Sequence, residues 1–235
     1  MDDNNEITLL FLSGAGGTRS KWRRVKEMMN GPRCVFMDLP AHGSNDAPMM
    51  HTIKDHANYL KPLITDKTIV IGHSMGGLIG IELAANHPKV VGLVLAASHY
   101  VLPVDSTLFD KLESGVYPNG LFYASYSKEA DKALLEEERS ELSIVPLETT
   151  IIDYRCCNDY GNGKECLSHI QKPILAIYGQ DDRMLPSKAS EELKRLAPHA
   201  VTEVIPQAGH YVMLERSEHF VNALLQFVQH ISERR

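Results

Sequence analysis

Two hydrophobic periods alternate along the chain. Six short segments, "ITLLFL" (7–12), "CVFMD" (34–38), "TIVIG" (68–72), "VVGLVLAA" (90–97), "PILAIYG" (173–179) and "VTEVIP" (201–206), are mostly unbroken apolar runs. Runs of this length without strict polar alternation predict strands covered on both faces, as in a parallel sheet. Between them, "SKWRRVKEMMN" (20–30), "TIKDHANYLKPLI" (52–64), "MGGLIGIELAANH" (75–87) and "SKASEELKRLA" (187–197) carry apolar residues at helical spacing. A last such segment, "SEHFVNALLQFVQHI" (217–231), follows the sixth run. Pro62 is expected to kink or end the second helix early.

Strand–helix alternation of this kind predicts a doubly wound, mainly parallel α/β sheet of about six strands with right-handed crossovers. One region breaks the rhythm. Residues 99–167 hold mostly helical patterns between the fourth and fifth strands, a stretch too long for a plain loop. They are expected to form a helical cap over one edge of the sheet, set on a core of residues 1–98 and 168–235.

The composition narrows the partners. With 235 residues, 43% hydrophobic and 23% charged, the chain has the make-up of one ordinary globular domain. A formal net charge of −6 argues against nucleic acid as a partner, since phosphates require a cationic footprint. The acidic stretch "EEERSE" (136–141) reads as a solvated helix face. No run approaches the roughly 20 apolar residues that span a bilayer, and "MDDNNEI" is the reverse of a secretory leader. A cytoplasmic protein with no membrane partner is expected. Cys34, Cys156, Cys157 and Cys166 form no C-x-x-C. Cys156, Cys157 and Cys166 with His169 lack the paired short spacings of a zinc site, so reduced thiols are expected.

The third apolar run leads straight into "GHSMGG" (72–77). Ser74 suits a helix N-cap in a glycine-rich turn. It also suits a G-x-S-x-G nucleophile elbow, where Gly72 and Gly76 permit a turn tight enough to expose one hydroxyl. Such a hydroxyl needs a base, and the base needs an orienting acid. The elbow predicts them in the order Ser, Asp or Glu, His, on later strand ends. "PILAIYGQDDRMLP" supplies Asp182, with Asp181 as the alternative, and both residue types also fill plain turns. After the fourth strand stand Ser98 and His99, and Asp105 lies too far along. His210, in "VTEVIPQAGHYVMLE", is the one of eleven histidines that follows the last strand. His42, His73 and His99 occupy blander places: a turn, the elbow itself and the start of the insertion. Oxyanion donors are expected from the N–H groups of Met75 and Ala15, the latter in the glycine-rich "FLSGAGGTRS" after the first strand. Tyr100, Leu102, Phe122 and Tyr126 are the apolar candidates for substrate binding. Nucleophile, base and donors all come from the chain, so no metal or organic cofactor is required.

On "GHSMGG", "DLPAHGSND" (38–46), "GQDDRMLP" (179–186) and "AGHYVMLERSEHF" (208–220), the chain resembles the α/β-hydrolase-fold serine hydrolases of carboxylesterase type over almost its whole length. The resemblance implies Ser74 as nucleophile, Asp182 as acid and His210 as base, with structural roles for Asp38 and His42. Two departures stand out. The family's usual His-Gly is replaced by Ser13-Gly14. Only Met1 to Glu6 precede the first strand, so the two antiparallel strands that open the family's sheet are expected to be missing. The aspartate nucleophile of haloalkane dehalogenases and epoxide hydrolases is also absent.

The complete set of Ser74, Asp182 and His210, with a cap of modest size, points to hydrolysis of a small carboxylic ester through an acyl-enzyme, with a small acyl compound as partner. Hydrolysis of a carbon–carbon bond in a vinylogous diketone, or a lyase step on the same residues, is the alternative. The related menaquinone-pathway lyases carry arginine where this chain has Leu78. A ligand receptor that retains the three residues without turnover is a third reading.

Overall fold

In the computed structural model, which describes residues 7–233, β1 (Thr8–Leu12) leads through a 3-10 turn at Arg19–Trp22 into α1 (Arg23–Met28). β2 (Arg33–Met37), α2 (Ile53–Leu60), β3 (Thr68–His73), α3 (Met75–Asn86) and β4 (Val90–Ala96) follow. Five helices then intervene: α4 (Ser106–Glu113), α5 (Asn119–Ala124), α6 (Lys132–Glu141), α7 (Leu147–Asp159) and α8 (Gly163–His169). The chain returns to the sheet with β5 (Ile174–Gly179), α9 (Ala189–Leu196), β6 (Val201–Ile205), α10 (Val212–Glu215) and α11 (Ser217–Glu233). Among the described residues the sheet has six strands in the order β2-β1-β3-β4-β5-β6, and every pairing is parallel. Met1 to Glu6, on which the expectation of missing opening strands turned, lie outside the described residues.

The apolar runs are continuous because each strand feeds two cores. Leu9 and Phe11 of β1, with Ile69 and Ile71 of β3, pack on the face that carries Trp22, Val25, Phe220 and Leu224. Leu10, Leu12 and Val70 point the other way, onto the side holding Leu60, Leu78, Ile79 and Leu193. The period of two is intact but apolar on both faces, as a doubly wound sheet requires. β6 departs from the expected pattern: it is an edge strand, and Val201 and Val204 are exposed. Helix α2 ends at Leu60, and Pro62 sits in a 3-10 turn beyond it, because proline has no N–H for the α-helical ladder.

α3 is buried from Met75 through Ala84. It lies between the sheet and the helices α2, α7 and α8, so the serine before it sits at the centre of the molecule rather than on a rim helix.

The acidic stretch 136–141 is not a wholly solvated face. Glu138 of α6 is completely buried, with its carboxylate 2.5 Å from Lys21 Nζ and 2.7 Å from Arg23 Nη1. The Tyr126 hydroxyl donates to the same carboxylate at 2.9 Å. Burial opposes the charge, but Lys21 and Arg23 outweigh it and hold the carboxyl below its ordinary range. The network contributes stability above the ordinary carboxyl pKa and loses it as pH falls through the lowered one. Removing one partner of a buried pair strands the other charge. Glu138→Ala should therefore lower the unfolding free energy by about 3–5 kcal/mol. Glu137→Ala, at a carboxylate 54% exposed, should lower it by less than about 1 kcal/mol. Urea unfolding midpoints of the two variants check both values.

Candidate active site

β3 and α3 meet at Ser74, whose backbone sits at φ 49°, ψ −118°, a conformation that non-glycine residues rarely adopt. The turn closes so tightly that a Cβ on Gly72 would lie 2.2 Å from the Gly76 carbonyl oxygen. One on Gly76 would lie 2.5 Å from the Leu12 carbonyl oxygen. Both positions therefore exclude any side chain. Ser74 N–H donates to Ala96 O at 3.1 Å, and the Ser98 hydroxyl donates to Ser74 O at 2.7 Å. β4 and the residue just past it thus pin the elbow from the side. Met75 N–H is the first of α3 and has no partner within the helix.

After β5, Asp182 is brought against the loop that follows β6. Its Oδ2 lies 2.9 Å from His210 Nδ1, and its Oδ1 accepts from Met184 N–H at 2.7 Å and Leu185 N–H at 3.3 Å. Three donors on one carboxylate leave it little rotational freedom. Asp181, the alternative, is exposed and contributes its N–H to Ala208 O.

The loop carrying His210 is held at several points. His210 N–H donates to Ser125 O at 2.9 Å. Glu215, at the end of α10, accepts from Gly209 N–H at 2.8 Å and from Ser127 N–H at 3.0 Å. Beneath them lies His73, fully buried, with Nε2 3.1 Å from His210 O. A carbonyl only accepts, so His73 carries its proton on Nε2. Burial, with the nearby His210 ring, pushes the His73 pKa well below its ordinary value. It is a neutral prop under the histidine loop.

Ser74, His210 and Ala15 line one narrow cavity with Gly14, His73, Leu102, Pro103, Val104, Ser125, Tyr154, Cys157, Met184 and Tyr211. The space in it open to water-sized molecules is about 50 Å³. In the loop after β1, Gly16 N–H is taken by Asp153 Oδ2 at 2.8 Å and Gly17 N–H by Gly14 O at 3.0 Å. Ala15 is the residue of that turn that fronts the cavity beside Gly14.

Of the four residues expected to bind substrate, the structure brings only Leu102 to this cavity. The Tyr100 hydroxyl instead donates to Glu192 at 3.1 Å. Phe122 packs against Tyr123, Tyr126 and the Arg139 guanidinium. Tyr126 spends its hydroxyl on Glu138 and stacks its ring on Tyr211. Aromatic character alone did not separate Phe122 and Tyr126, which pack within the insertion, from Tyr154, which lines the cavity. Tyr154, Cys157, Met184 and Tyr211 were missed. The first two sit one turn apart on α7, a helical spacing visible in the sequence.

Asp38 and His42 hold loops. Asp38 accepts from Arg19 N–H, Ser44 N–H and the Ser44 hydroxyl. Cys156, Cys157, Cys166 and His169 do not converge. Among the described residues no group of three or more His, Cys, Asp or Glu side chains is placed to hold a metal ion, and no helix is long and apolar enough to cross a membrane.

Comparison with known proteins agrees with this architecture. Residues 9–224 match the model of the Alpha/beta hydrolase family. Lipase 3 of Moraxella sp. (strain TA144) is 24% identical over 239 residues, covering 91% of this chain and 75% of its own. A 2-hydroxy-6-oxononadienedioate/2-hydroxy-6-oxononatrienedioate hydrolase of Dechloromonas aromatica is 26% identical over 257 residues, covering 95% and 87%. The solved esterase of Exiguobacterium antarcticum superposes with a TM-score of 0.86 at 20% identity, covering 96% of this chain and 93% of that one. A central parallel sheet, a serine forced into a left-handed turn by two glycines, and a family match across most of the length lead to one assignment: this chain belongs to the alpha/beta hydrolase family and is a hydrolase.

Proposed function

We propose that the protein cleaves a small, uncharged carboxylic ester through an acyl-enzyme on Ser74. The observation that carries this reading is the His210 Nδ1–Asp182 Oδ2 contact of 2.9 Å beside a cavity shared by His210 and Ser74. With Nδ1 engaged by the carboxylate, Nε2 on the far side of the ring is the nitrogen left for the serine proton. Ser74 attacks the carbonyl carbon while His210 takes its proton. The N–H groups of Ala15 and Met75 donate to the developing oxyanion, and His210 returns the proton to the departing alkoxide. Water then attacks the acyl-enzyme by the same route. Residues 99–167 serve as the cap, supplying Leu102, Pro103, Val104, Ser125, Tyr154 and Cys157 to the cavity wall.

The cavity's chemistry supports an ester over the carbon–carbon bond alternative. Among the described residues no lysine or arginine lines it. A dienedioate carries carboxylates, and burying one without a cationic partner is strongly unfavourable. The related hydrolase from Dechloromonas bears such a substrate in its name, but the lining here is apolar or neutral. The small volume supports a short acyl chain.

Three measurements test this. Ser74→Ala should abolish turnover of p-nitrophenyl butyrate and labelling by a fluorophosphonate probe. Unlabelled wild-type protein would favour a receptor instead. Asp182→Asn should lower kcat by about 10⁴-fold, because the imidazole loses its tautomer and orientation. Across a p-nitrophenyl ester series, kcat/KM should fall at least about tenfold from butyrate to decanoate, as each added methylene beyond the cavity loses its burial. Faster turnover of a dienoic diketone than of any ester would replace this reading with the carbon–carbon one.

A further inference from the structure

Helix α7 of the insertion carries one acidic residue on its buried stripe. Asp153 is 1% exposed and lies among Thr149, Thr150, Cys156 and Cys157. Its Oδ2 has two partners from different parts of the core. Gly16 N–H donates to it at 2.8 Å, and His42 Nε2 lies 2.7 Å away. His42 Nδ1 in turn lies 2.8 Å from Pro40 O.

These contacts fix the protons. The Pro40 carbonyl only accepts, so Nδ1 donates to it. The raised His42 pKa, with the Asp153 contact among its causes, has Nε2 donate to the carboxylate as well. His42 is then an imidazolium, completely buried, paired with a buried carboxylate. Burial works against that charge, but the Asp153 hydrogen bond and charge, the Pro40 carbonyl and Asp38 together raise the His42 pKa. The surrounding groups leave the pair intact. His56 of α2 is neutral, its pKa pushed down by burial to about 4. The Cys156 and Cys157 thiols are pushed up by burial, and Asp55 stands beyond His56 at the start of α2.

The third partner gives the pair a purpose. Gly16 sits at φ 63°, and a Cβ there would lie 2.6 Å from Thr150 Oγ1, so the turn rests directly on α7. Thr150 and Asp153 are one helical turn apart and together cradle it. Gly16 follows Ala15, whose N–H the acyl-transfer reading assigns to the oxyanion. We propose that Asp153, locked by the His42 imidazolium, is a positioning residue for the oxyanion hole. It draws Gly16 N–H onto α7 and thereby turns Ala15 N–H toward the substrate carbonyl oxygen. Through it the insertion completes the catalytic centre as well as walling the cavity. The inference rests on the esterase reading above.

The test compares Asp153→Asn with wild type on p-nitrophenyl butyrate and on butaneboronic acid, which forms a tetrahedral adduct with an activated serine. The expected result is a kcat about 10–100-fold lower, a KM within about threefold, and a boronate Ki raised by the same factor as kcat falls. A purely structural role predicts a lowered melting temperature with kcat and Ki unchanged below it, and that result overturns the proposal. If Asp153→Asn does not fold, ¹⁵N-histidine NMR of the wild-type protein decides. His42 should show protons on both ring nitrogens at neutral pH, and a singly protonated His42 overturns the proposal. Ser74→Ala separates the two levels. If it is inactive while Asp153→Asn matches wild type, only this inference falls. If Ser74→Ala retains turnover, the esterase reading falls and takes this one with it.

Discussion

A serine held at φ 49° is the constraint around which the molecule is arranged. An L-residue in that region carries strain of about 1–3 kcal/mol and persists only where its surroundings leave no alternative. Here they leave none. Gly72 and Gly76 bring the two limbs of the turn to a distance that no side chain tolerates. Ser98 and Ala96 hydrogen-bond the serine's own peptide groups. The helix that follows is buried on all sides. The elbow is thus strained at one residue and over-determined everywhere around it, which keeps a hydroxyl aimed at a cavity rather than folded into a helix cap.

The other candidate groups lie on loops at strand ends, and each loop is tied down by hydrogen bonds to buried groups. The histidine loop rests on Glu215, on Ser125 and on the neutral ring of His73. The aspartate is fixed by two backbone donors as well as by the imidazole. The glycine-rich turn after β1 is tied to Asp153. Three of these anchors come from the helical insertion or reach into it. Lys21 and Arg23, just after that same turn, meet Glu138 of α6. Insertion and core are therefore joined by two buried charge networks, Lys21 and Arg23 with Glu138 and His42 with Asp153.

Much of the fold could be read from the chain because strands covered on both faces leave unbroken apolar runs, and the helices between them keep their amphipathic spacing. The elbow was legible for a steric reason: only glycine fits at 72 and 76. The pairing of Asp182 with His210 was legible from topology, as polar residues just past the last two strands. The cavity wall was not legible. Tyr100, Phe122 and Tyr126 are large and apolar, but whether such a ring faces a cavity or a neighbouring helix depends on how the short helices of the insertion are set. Asp153 and Glu138 were missed for the opposite reason. Glu138 stands in a run of charged residues and Asp153 between Ile152 and Tyr154, and neither setting names a buried partner. Their partners, His42, Lys21 and Arg23, lie more than a hundred residues away, so only the folded arrangement pairs them.

The pairing of Asp153 with Gly16 bears on how this architecture diversifies. If the roof of a binding site only shapes the space above the reacting atoms, it can be exchanged for another roof and the chemistry carries over. A roof that also clamps a turn beside the nucleophile is not an interchangeable module. A graft that matched the cavity but lacked an acid at this point on α7 would leave buried His42 without its partner and the turn without its tether. α7 both walls the cavity, through Tyr154 and Cys157, and tethers the turn, through Asp153, so change in one travels with change in the other.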